Sequence, residues 1–227
     1  MVAVTVPVTE APIDMAVILD WARLMDERGI AGYGWGMVWQ QPDGVHRYRS
    51  VNGIRVDRDA DRVLTRVKTH RLFVHVRRPS LMSTISQVDT QPYWDPESGL
   101  AFAHNGYLER HGDLRSRYTG QLAGRSDSEV GFWLWIEAIA RGEAPAAALR
   151  AVHEQLGGQA NFMTLARTGQ LLVYAGNIEN ASYHFRIGTW TVAATGLHSH
   201  DHYLFETVFP DACGIERVEP STVWEMP

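Results

Sequence analysis

The pair Asn105-Gly106 could do chemistry on an amide bond. It follows the apolar stretch of residues 100–104 and places a side-chain amide next to a backbone N–H that no side chain obstructs. Two such donors aimed at one point form an oxyanion hole, which stabilises the negative oxygen of a tetrahedral intermediate. Asn-Gly is also the commonest pair in tight hairpin turns, because both residues tolerate positive φ. Taken alone, the pair is compatible with a catalytic site and with a turn.

Histidine and serine residues offer two other kinds of chemistry. His198, His200 and His202 alternate, so on a strand they would share one face and could bind Zn²⁺. No second cluster of acids and histidines supports such a site, so a polar loop is the simpler interpretation and we expect no metal. Three serines lie near the other motifs without histidine and aspartate partners that spacing alone identifies, so we expect no serine triad. They are Ser80, Ser126 and Ser128.

The composition limits the classes of protein to which the chain can belong. Its 227 residues suit one domain, residues 1–227, and 45% apolar with 21% charged residues is ordinary for a globular protein. The net charge is −5 and no run of Lys or Arg exceeds two residues, which argues against a nucleic-acid partner. We find no signal peptide and no apolar run of about 18 residues, so no membrane association is expected. The single cysteine, Cys213, permits no internal disulfide, and we expect a cytoplasmic protein.

The elements that would position Asn105-Gly106 follow from hydrophobic periodicity. Apolar residues at helical spacing after Asp14, a predicted N-cap, and after a capping box of Ser126 and Glu129 indicate two long helices. The predicted helices cover 15–28, 59–70, 108–117, 126–141 and 145–156, and the predicted strands cover 2–8, 33–40, 45–53, 71–77, 100–104 and five segments after residue 158. Residues 79–98 are predicted as a long loop. Because strand pairs alternate with blocks of helices, the pattern predicts an α+β fold with antiparallel sheets and helices on the outer faces.

Four segments together resemble a known family. They are residues 28–39, 75–80, 102–108 and 125–129. Their order and spacing resemble the class II glutamine amidotransferases, which have the N-terminal-nucleophile hydrolase fold, and "FAHNG" followed about twenty residues later by "SDSE" is the most specific part. The chain is most similar to small stand-alone members that hydrolyse γ-glutamyl amides. The resemblance implies a four-layer αββα sandwich of two antiparallel sheets, a ligand such as glutamine or a γ-glutamyl compound, and no cofactor.

The resemblance also implies a role for each residue of the main site. Arg77 would hold the α-carboxylate of the ligand, since a guanidinium binds a carboxylate through two parallel hydrogen bonds. Asp127 would pair with the α-ammonium group, and a place in the first turn of a helix favours its ionised form. Asn105 and the N–H of Gly106 would stabilise the oxyanion. A structural salt bridge for Arg77 and simple helix capping for Asp127 are the alternatives.

Three further residues complete the implied substrate-binding set. Gly36 would let the backbone approach the ligand closely, because glycine has no Cβ. Arg28 belongs to an Arg-Gly turn that lies near the nucleophile in this family. Ser80 belongs to a Pro-Ser-Leu segment that departs from the Ala-Thr-His sequence usual in the family.

The reacting residue itself is changed. The nucleophile of the family is a cysteine exposed after removal of the initiator methionine, and an alignment anchored by Pro12 and Asp14 places Val2 there. Valine has no nucleophilic atom, so amide hydrolysis by the family's mechanism is in doubt. Two hypotheses follow. The protein is an amidohydrolase in which another group or water attacks, or it is a non-catalytic module that binds a glutamine-like ligand or stabilises a partner. Because no synthase domain is attached, use of released ammonia would need a separate synthase or partner subunit.

Overall fold

The computed structural model describes residues 1–28, 31–195 and 202–227, with only the backbone at residue 202. Two antiparallel sheets lie face to face, and helices cover the outer face of each sheet. The fold is therefore the α+β class that the sequence pattern predicts, in the four-layer αββα arrangement that the family resemblance implies.

The described residues form twelve strands. They are β1 (Val2–Thr5), β2 (Trp35–Gln41), β3 (Gly44–Ser50), β4 (Arg71–Val76), β5 (Tyr93–Asp95), β6 (Leu100–Tyr107), β7 (Gln159–Ala166), β8 (Leu171–Ala175), β9 (Ser182–Ile187), β10 (Trp190–Thr195), β11 (Cys213–Arg217) and β12 (Thr222–Glu225). Seven strands form the larger sheet in the order β11-β9-β10-β1-β4-β2-β3, and five form the smaller sheet in the order β12-β8-β7-β6-β5. Strand β1 thus lies at the centre of the larger sheet, between β4 and β10.

Helices form the two outer layers. The α-helices of the described residues are α1 (Met15–Glu27), α2 (Asp59–Leu64), α3 (His111–Leu114), α4 (Asp127–Ala140), α5 (Pro145–Leu156) and α6 (His202–Val208). Helices α1, α2 and α6 pack on the larger sheet, and α4 and α5 pack on the smaller one. None of the helices in this part of the chain is long and apolar enough to cross a membrane.

Because side chains alternate along each strand, those on one face of a sheet pack against helices and those on the other face pack between the sheets. In β1, Val2 and Val4 face the helices of the larger sheet, whereas Ala3 faces the other sheet. Small side chains such as Ala101 and Ala103 of β6 also lie between the sheets. The parity of each strand therefore decides which side chains reach the space between the sheets.

Several elements form where local sequence signals place them. The side chain of Asp14 accepts a hydrogen bond from the backbone N–H of Ala16 at 3.0 Å and caps α1. Strands β2 and β3 form the predicted hairpin, and their pairing closes with Gln41 opposite Gly44. These features depend on residues close together in the chain.

Helix α2 is shorter than predicted. It ends at Leu64 rather than near residue 70. The hydroxyl of Thr65 donates to the carbonyl of Asp61, and the hydroxyl of Thr69 bonds to the carbonyls of Gln40 and Arg71. These threonine bonds compete with the helical pattern and direct the chain into β4.

Candidate functional site

A cavity of about 570 Å³ opens at one end of the sandwich. The start of the chain, the residues after β4, the end of β6 and the first turn of α4 all contribute to its wall. Six of the eight predicted residues line it: Arg28, Arg77, Ser80, Asn105, Gly106 and Asp127. Segments that are far apart in sequence are therefore brought to one site.

Arg77 presents an unpaired donor in this cavity. Its backbone N–H donates to the carbonyl of Gly34 at 2.9 Å, which fixes the chain just after β4. Its Nη2 donates to the hydroxyl of Thr84 at 2.7 Å, but its Nη1 is buried and has no partner among the described residues. Burial lowers the pKa of the guanidinium, although arginine remains charged at neutral pH. A buried, charged group with an unused donor is suited to bind an anion.

Asp127 lies in the first turn of α4 and is held by several donors. Its Oδ2 accepts from the backbone N–H of Leu108 at 2.8 Å, and its Oδ1 accepts from the hydroxyl of Ser126 at 3.4 Å and lies 3.3 Å from the hydroxyl oxygen of Ser128. These contacts orient the carboxylate at the N-terminal end of the helix, where the helix dipole is positive. The half-buried side chain is therefore an oriented negative group on the cavity wall.

The turn that carries Asp127 is fixed from outside the helix. Ser126 accepts from the N–H of Ser128, as predicted, but Glu129 does not complete the capping box. Glu129 instead accepts from the N–H groups of residues 123 and 124. The N–H of Ser126 donates to Oδ1 of the buried Asp89 at 2.7 Å, and the N–H of Arg125 donates to the same oxygen. Asp89 therefore takes the part that the sequence assigns to Glu129.

Asn105 is oriented by two other amides. Its Oδ1 accepts from Nδ2 of Asn180 at 2.7 Å and from Nδ2 of Asn161 at 3.4 Å. Because its carbonyl end is held in this way, its Nδ2 is left as the end that can donate to a ligand.

Gly106 lies inside β6 rather than in a hairpin turn. It pairs with Ala160 of β7, one position after Asn105 pairs with Asn161. Its φ is +135°, and a Cβ at this position would overlap the carbonyl oxygen of Gln159. The site therefore needs glycine here for two reasons, the backbone angle and the close approach of β7.

Two predicted residues do not line the cavity. Val2 faces the helices that cover the larger sheet. Gly36 lies in β2 against the backbone of Gln91 and the ring of Pro92, where a Cβ would collide with both. The strand parity that turns Val2 away places Met1 between the sheets and on the cavity wall.

The amino group of Met1 is also buried. It donates to the hydroxyl of Thr195 at 2.8 Å. Burial lowers the pKa of this amino group to about 5, so it is neutral at pH 7. No cysteine accompanies it, because Cys213, the one cysteine of the chain, is exposed on β11.

Most of the chain matches a known protein family. A family model described as "Glutamine amidotransferases class-II" matches residues 8–187. The chain belongs to this family. No curated protein matches the sequence.

Solved structures share the class II amidotransferase fold at low sequence identity. Glutamine phosphoribosylpyrophosphate amidotransferase from B. subtilis has a TM-score of 0.71 and 18% identity, over 99% of this chain and 48% of that one. A glutamine aminotransferase class-II domain protein from Silicibacter pomeroyi has a TM-score of 0.60 and 16% identity, over 99% and 97% of the two chains. A predicted glutamine amidotransferase from Pseudomonas aeruginosa has a TM-score of 0.51 and 15% identity, over 85% and 83%. The chain thus spans about half of the first of these proteins and nearly all of the second.

The cavity also contains a histidine–serine contact that the sequence analysis missed. His104 Nδ1 lies 2.9 Å from the hydroxyl of Ser128, and His104 Nε2 lies 3.4 Å from the carbonyl of Gln159. Because a carbonyl can only accept, Nε2 carries the hydrogen and Nδ1 accepts from Ser128. Burial lowers the pKa of His104 by more than the nearby charge of Asp127 raises it, so the ring is neutral at pH 7. The sequence could have indicated this contact, because side chains alternate along β6 and His104 therefore shares a face with Phe102, which packs against α4.

A second histidine of the cavity, His75, is buried near the end of β4. Its Nδ1 has no partner among the described residues. Burial, followed by the nearby amino terminus and Arg77, lowers the pKa of His75 well below its usual range. Its ring therefore contributes no positive charge at neutral pH.

The alternative of a Zn²⁺ site at His198, His200 and His202 concerns side chains that the structure does not describe. Residues 198–201 and the side chain of His202 lie outside the described residues. Within the described ranges, no group of three or more histidine, cysteine, aspartate or glutamate side chains could hold a metal ion.

Proposed function

We propose that the cavity binds L-glutamine or a γ-glutamyl compound by its amino-acid head group. The observation that carries the proposal is the buried Nη1 of Arg77, which has no partner among the described residues and lines the same cavity as Asp127. A guanidinium and a carboxylate in one cavity are complementary to the α-carboxylate and α-ammonium groups of an amino acid. Leaving Arg77 unpaired has an energetic cost, which binding of an anion would relieve.

The amide of the ligand would meet Asn105 and Gly106. The carbonyl of Asn105 is held by Asn180 and Asn161, so its amide can donate to the ligand's side-chain carbonyl. The backbone N–H of Gly106 is the proposed second donor, as in an oxyanion hole. Arg28 and Ser80, both exposed on the cavity wall, complete the proposed contacts.

We propose that this binding is not coupled to cysteine-dependent hydrolysis. Met1 takes the place on the cavity wall that a nucleophile would need, and its thioether is a poor nucleophile for an amide. Cys213 lies on the exposed edge strand β11 and does not line the cavity. The protein would then act as a binding module, or as a partner-stabilising subunit beside a separate synthase.

A second candidate function is hydrolysis by Ser128. Its hydroxyl is 2.9 Å from His104 Nδ1, which is suited to take its proton. Ser128 Oγ would attack the amide carbonyl, the proton would pass through His104 to the leaving amine, and water would then cleave the ester. Ser128 also contacts Asp127, the proposed partner of the ammonium group, and so lies beside the head group rather than the amide. Binding without hydrolysis is therefore our first choice.

An engineered cysteine tests the proposed function. We expect the wild-type protein to bind L-glutamine without releasing ammonia, measured by calorimetry and by a coupled ammonia assay. A variant with Cys in place of Met1, exposed as the first residue by cleavage of an N-terminal tag, should release ammonia, up to the roughly 10 s⁻¹ typical of enzymes. Val2→Cys with Met1 retained is the matched control and should stay inactive, because Val2 faces the helices.

Two results would contradict parts of this proposal. Ammonia release by the wild-type protein would overturn binding without hydrolysis, and its loss in Ser128→Ala would assign the reaction to Ser128. Failure of the wild-type protein to bind glutamine would overturn the ligand assignment itself.

We also propose the wider setting of the protein. Strands from both halves of the chain enter both sheets, which supports one domain over residues 1–227. A single exposed cysteine fits a reducing compartment, and we propose the cytoplasm.

A further inference from the structure

We propose that the preferred ligand is a γ-glutamyl conjugate whose amine portion carries a carboxylate, bound by exposed arginines at the mouth of the cavity. This inference rests on the proposed function, because it takes the amino-acid head group to lie against Arg77 and Asp127. The mouth arginines are Arg28, Arg78 and Arg125, all exposed and all on the cavity wall.

The cavity has more positive charge than an amino-acid head group requires. Among the described residues, four arginines line it, the three mouth arginines and Arg77, whereas the carboxylates on its wall are those of Asp127 and Glu179. A bound amino-acid head would pair with Arg77 and Asp127 and leave the mouth arginines facing a single glutamate. The whole chain has a net charge of −5, so this excess is local to the site. A cleft lined by one sign of charge concentrates ligands of the opposite sign.

The mouth arginines are also free to bind. Within the part of the chain that the structure describes, their guanidinium groups make no hydrogen bond or ion pair. Some exposed arginines elsewhere are paired with carboxylates, as Arg62 is with Asp59 and Arg141 with Glu137, whereas others such as Arg66 are not. The mouth arginines are distinguished by their position, since all three lie on the wall of one cavity, where each can donate to a carboxylate.

The remaining basic groups of the cavity do not supply this charge. His75 and His104 are buried and neutral at pH 7, because burial lowers the pKa of each ring. The amino group of Met1 is neutral as well, with its pKa lowered to about 5. The positive field at the mouth therefore comes from guanidinium groups and persists across the physiological pH range.

The size of the cavity agrees with a conjugate. Its volume of about 570 Å³ falls within the range of pockets that enclose drug-sized ligands, which are much larger than glutamine. Arg77 is buried and the mouth arginines are exposed, so a head group at Arg77 would direct the rest of the ligand outward. The portion attached to the amide nitrogen would then pass the mouth arginines.

A pair of matched ligands tests the inference. γ-Glutamylglycine and γ-glutamylglycinamide share the head group and the amide, but only the first carries a carboxylate on its amine portion. By isothermal titration calorimetry with the full chain, we expect γ-glutamylglycine to bind about tenfold more tightly, as for one added charge-assisted hydrogen bond. The double variant Arg78→Gln, Arg125→Gln should bring the ratio of the two affinities close to one.

The controls separate this inference from the proposed function. Arg66→Gln removes one exposed arginine that does not line the cavity, and it should preserve the tenfold ratio. Equal affinities for the two ligands in the wild-type protein, with binding still lost in Arg77→Gln, would overturn the anionic conjugate alone. Absence of binding by both ligands and by L-glutamine would overturn the proposed function and this inference together.

Discussion

Replacement of Arg77 with glutamine should weaken binding of L-glutamine by at least about 100-fold. Arg77 is 5% exposed, so its bonds to a carboxylate would form away from bulk water. Hydrogen bonds to charged groups contribute about 1.5–3 kcal/mol each, and two of them exceed the roughly 2.7 kcal/mol that corresponds to 100-fold in Kd. Arg77→Lys should not restore binding, because an ammonium group cannot form the two parallel bonds.

Calorimetric titration with L-glutamine measures this effect, and circular dichroism checks that each variant is folded. Arg71→Gln is the matched control, because Arg71 begins the same strand, β4, and does not line the cavity. It should bind glutamine as the wild-type protein does. A folded Arg77→Gln protein with wild-type affinity would show that Arg77 is not the carboxylate site.

Replacement of Gly106 with alanine should destabilise the protein by about 3 kcal/mol or more. The backbone φ of +135° is unfavourable for any residue with a Cβ, and the added methyl group would overlap the carbonyl oxygen of Gln159 on the neighbouring strand. Strands β6 and β7 would have to separate where Asn105 pairs with Asn161. For a domain of this size, such a loss lowers Tm by about 6–12 °C.

Scanning calorimetry measures the Tm of this variant beside that of Gly112→Ala. Gly112 lies in α3, and a Cβ there would meet no atom within 4 Å. We expect the control to be neutral or slightly stabilising, since alanine favours a helix over glycine. Similar Tm values for the two alanine variants would mean that β7 does not approach Gly106 as closely as the structure indicates.

The sequence predicted well those elements that depend on neighbouring residues. Asp14 caps α1 through an N–H two residues away, and the β2–β3 hairpin closes over a two-residue turn. The α+β architecture also followed from the order of strand pairs and helices. The family resemblance added the four-layer arrangement, which the fold confirms.

Features that depend on distant residues were predicted less well. Asn105-Gly106 is compatible with a turn in isolation, and only pairing with a strand more than fifty residues later places it inside β6. The N–H of Ser126 is bonded by Asp89, which no local capping pattern would identify. Helix α2 ends at Leu64, and Thr69, which the sequence placed in that helix, instead bonds to Gln40 of β2.

The alternation of side chains along β1 decides which residue at the start of the chain reaches the cavity. Val2 and Val4 are large and β-branched, whereas Ala3 is small, and this alternation could have indicated that the even positions face the helices. Alignment with the family instead placed Val2 at the nucleophile position, which was wrong because Val2 faces the helices. Met1, rather than Val2, therefore contributes its side chain to the cavity wall.

A crystal structure of the protein with L-glutamine bound is the most direct test of the ligand assignment. We expect the α-carboxylate within hydrogen-bonding distance of Arg77 Nη1, the α-ammonium group beside Asp127, and the side-chain amide next to Asn105 and Gly106. A cavity that stays empty at saturating glutamine, or a ligand that contacts neither Arg77 nor Asp127, would contradict the assignment.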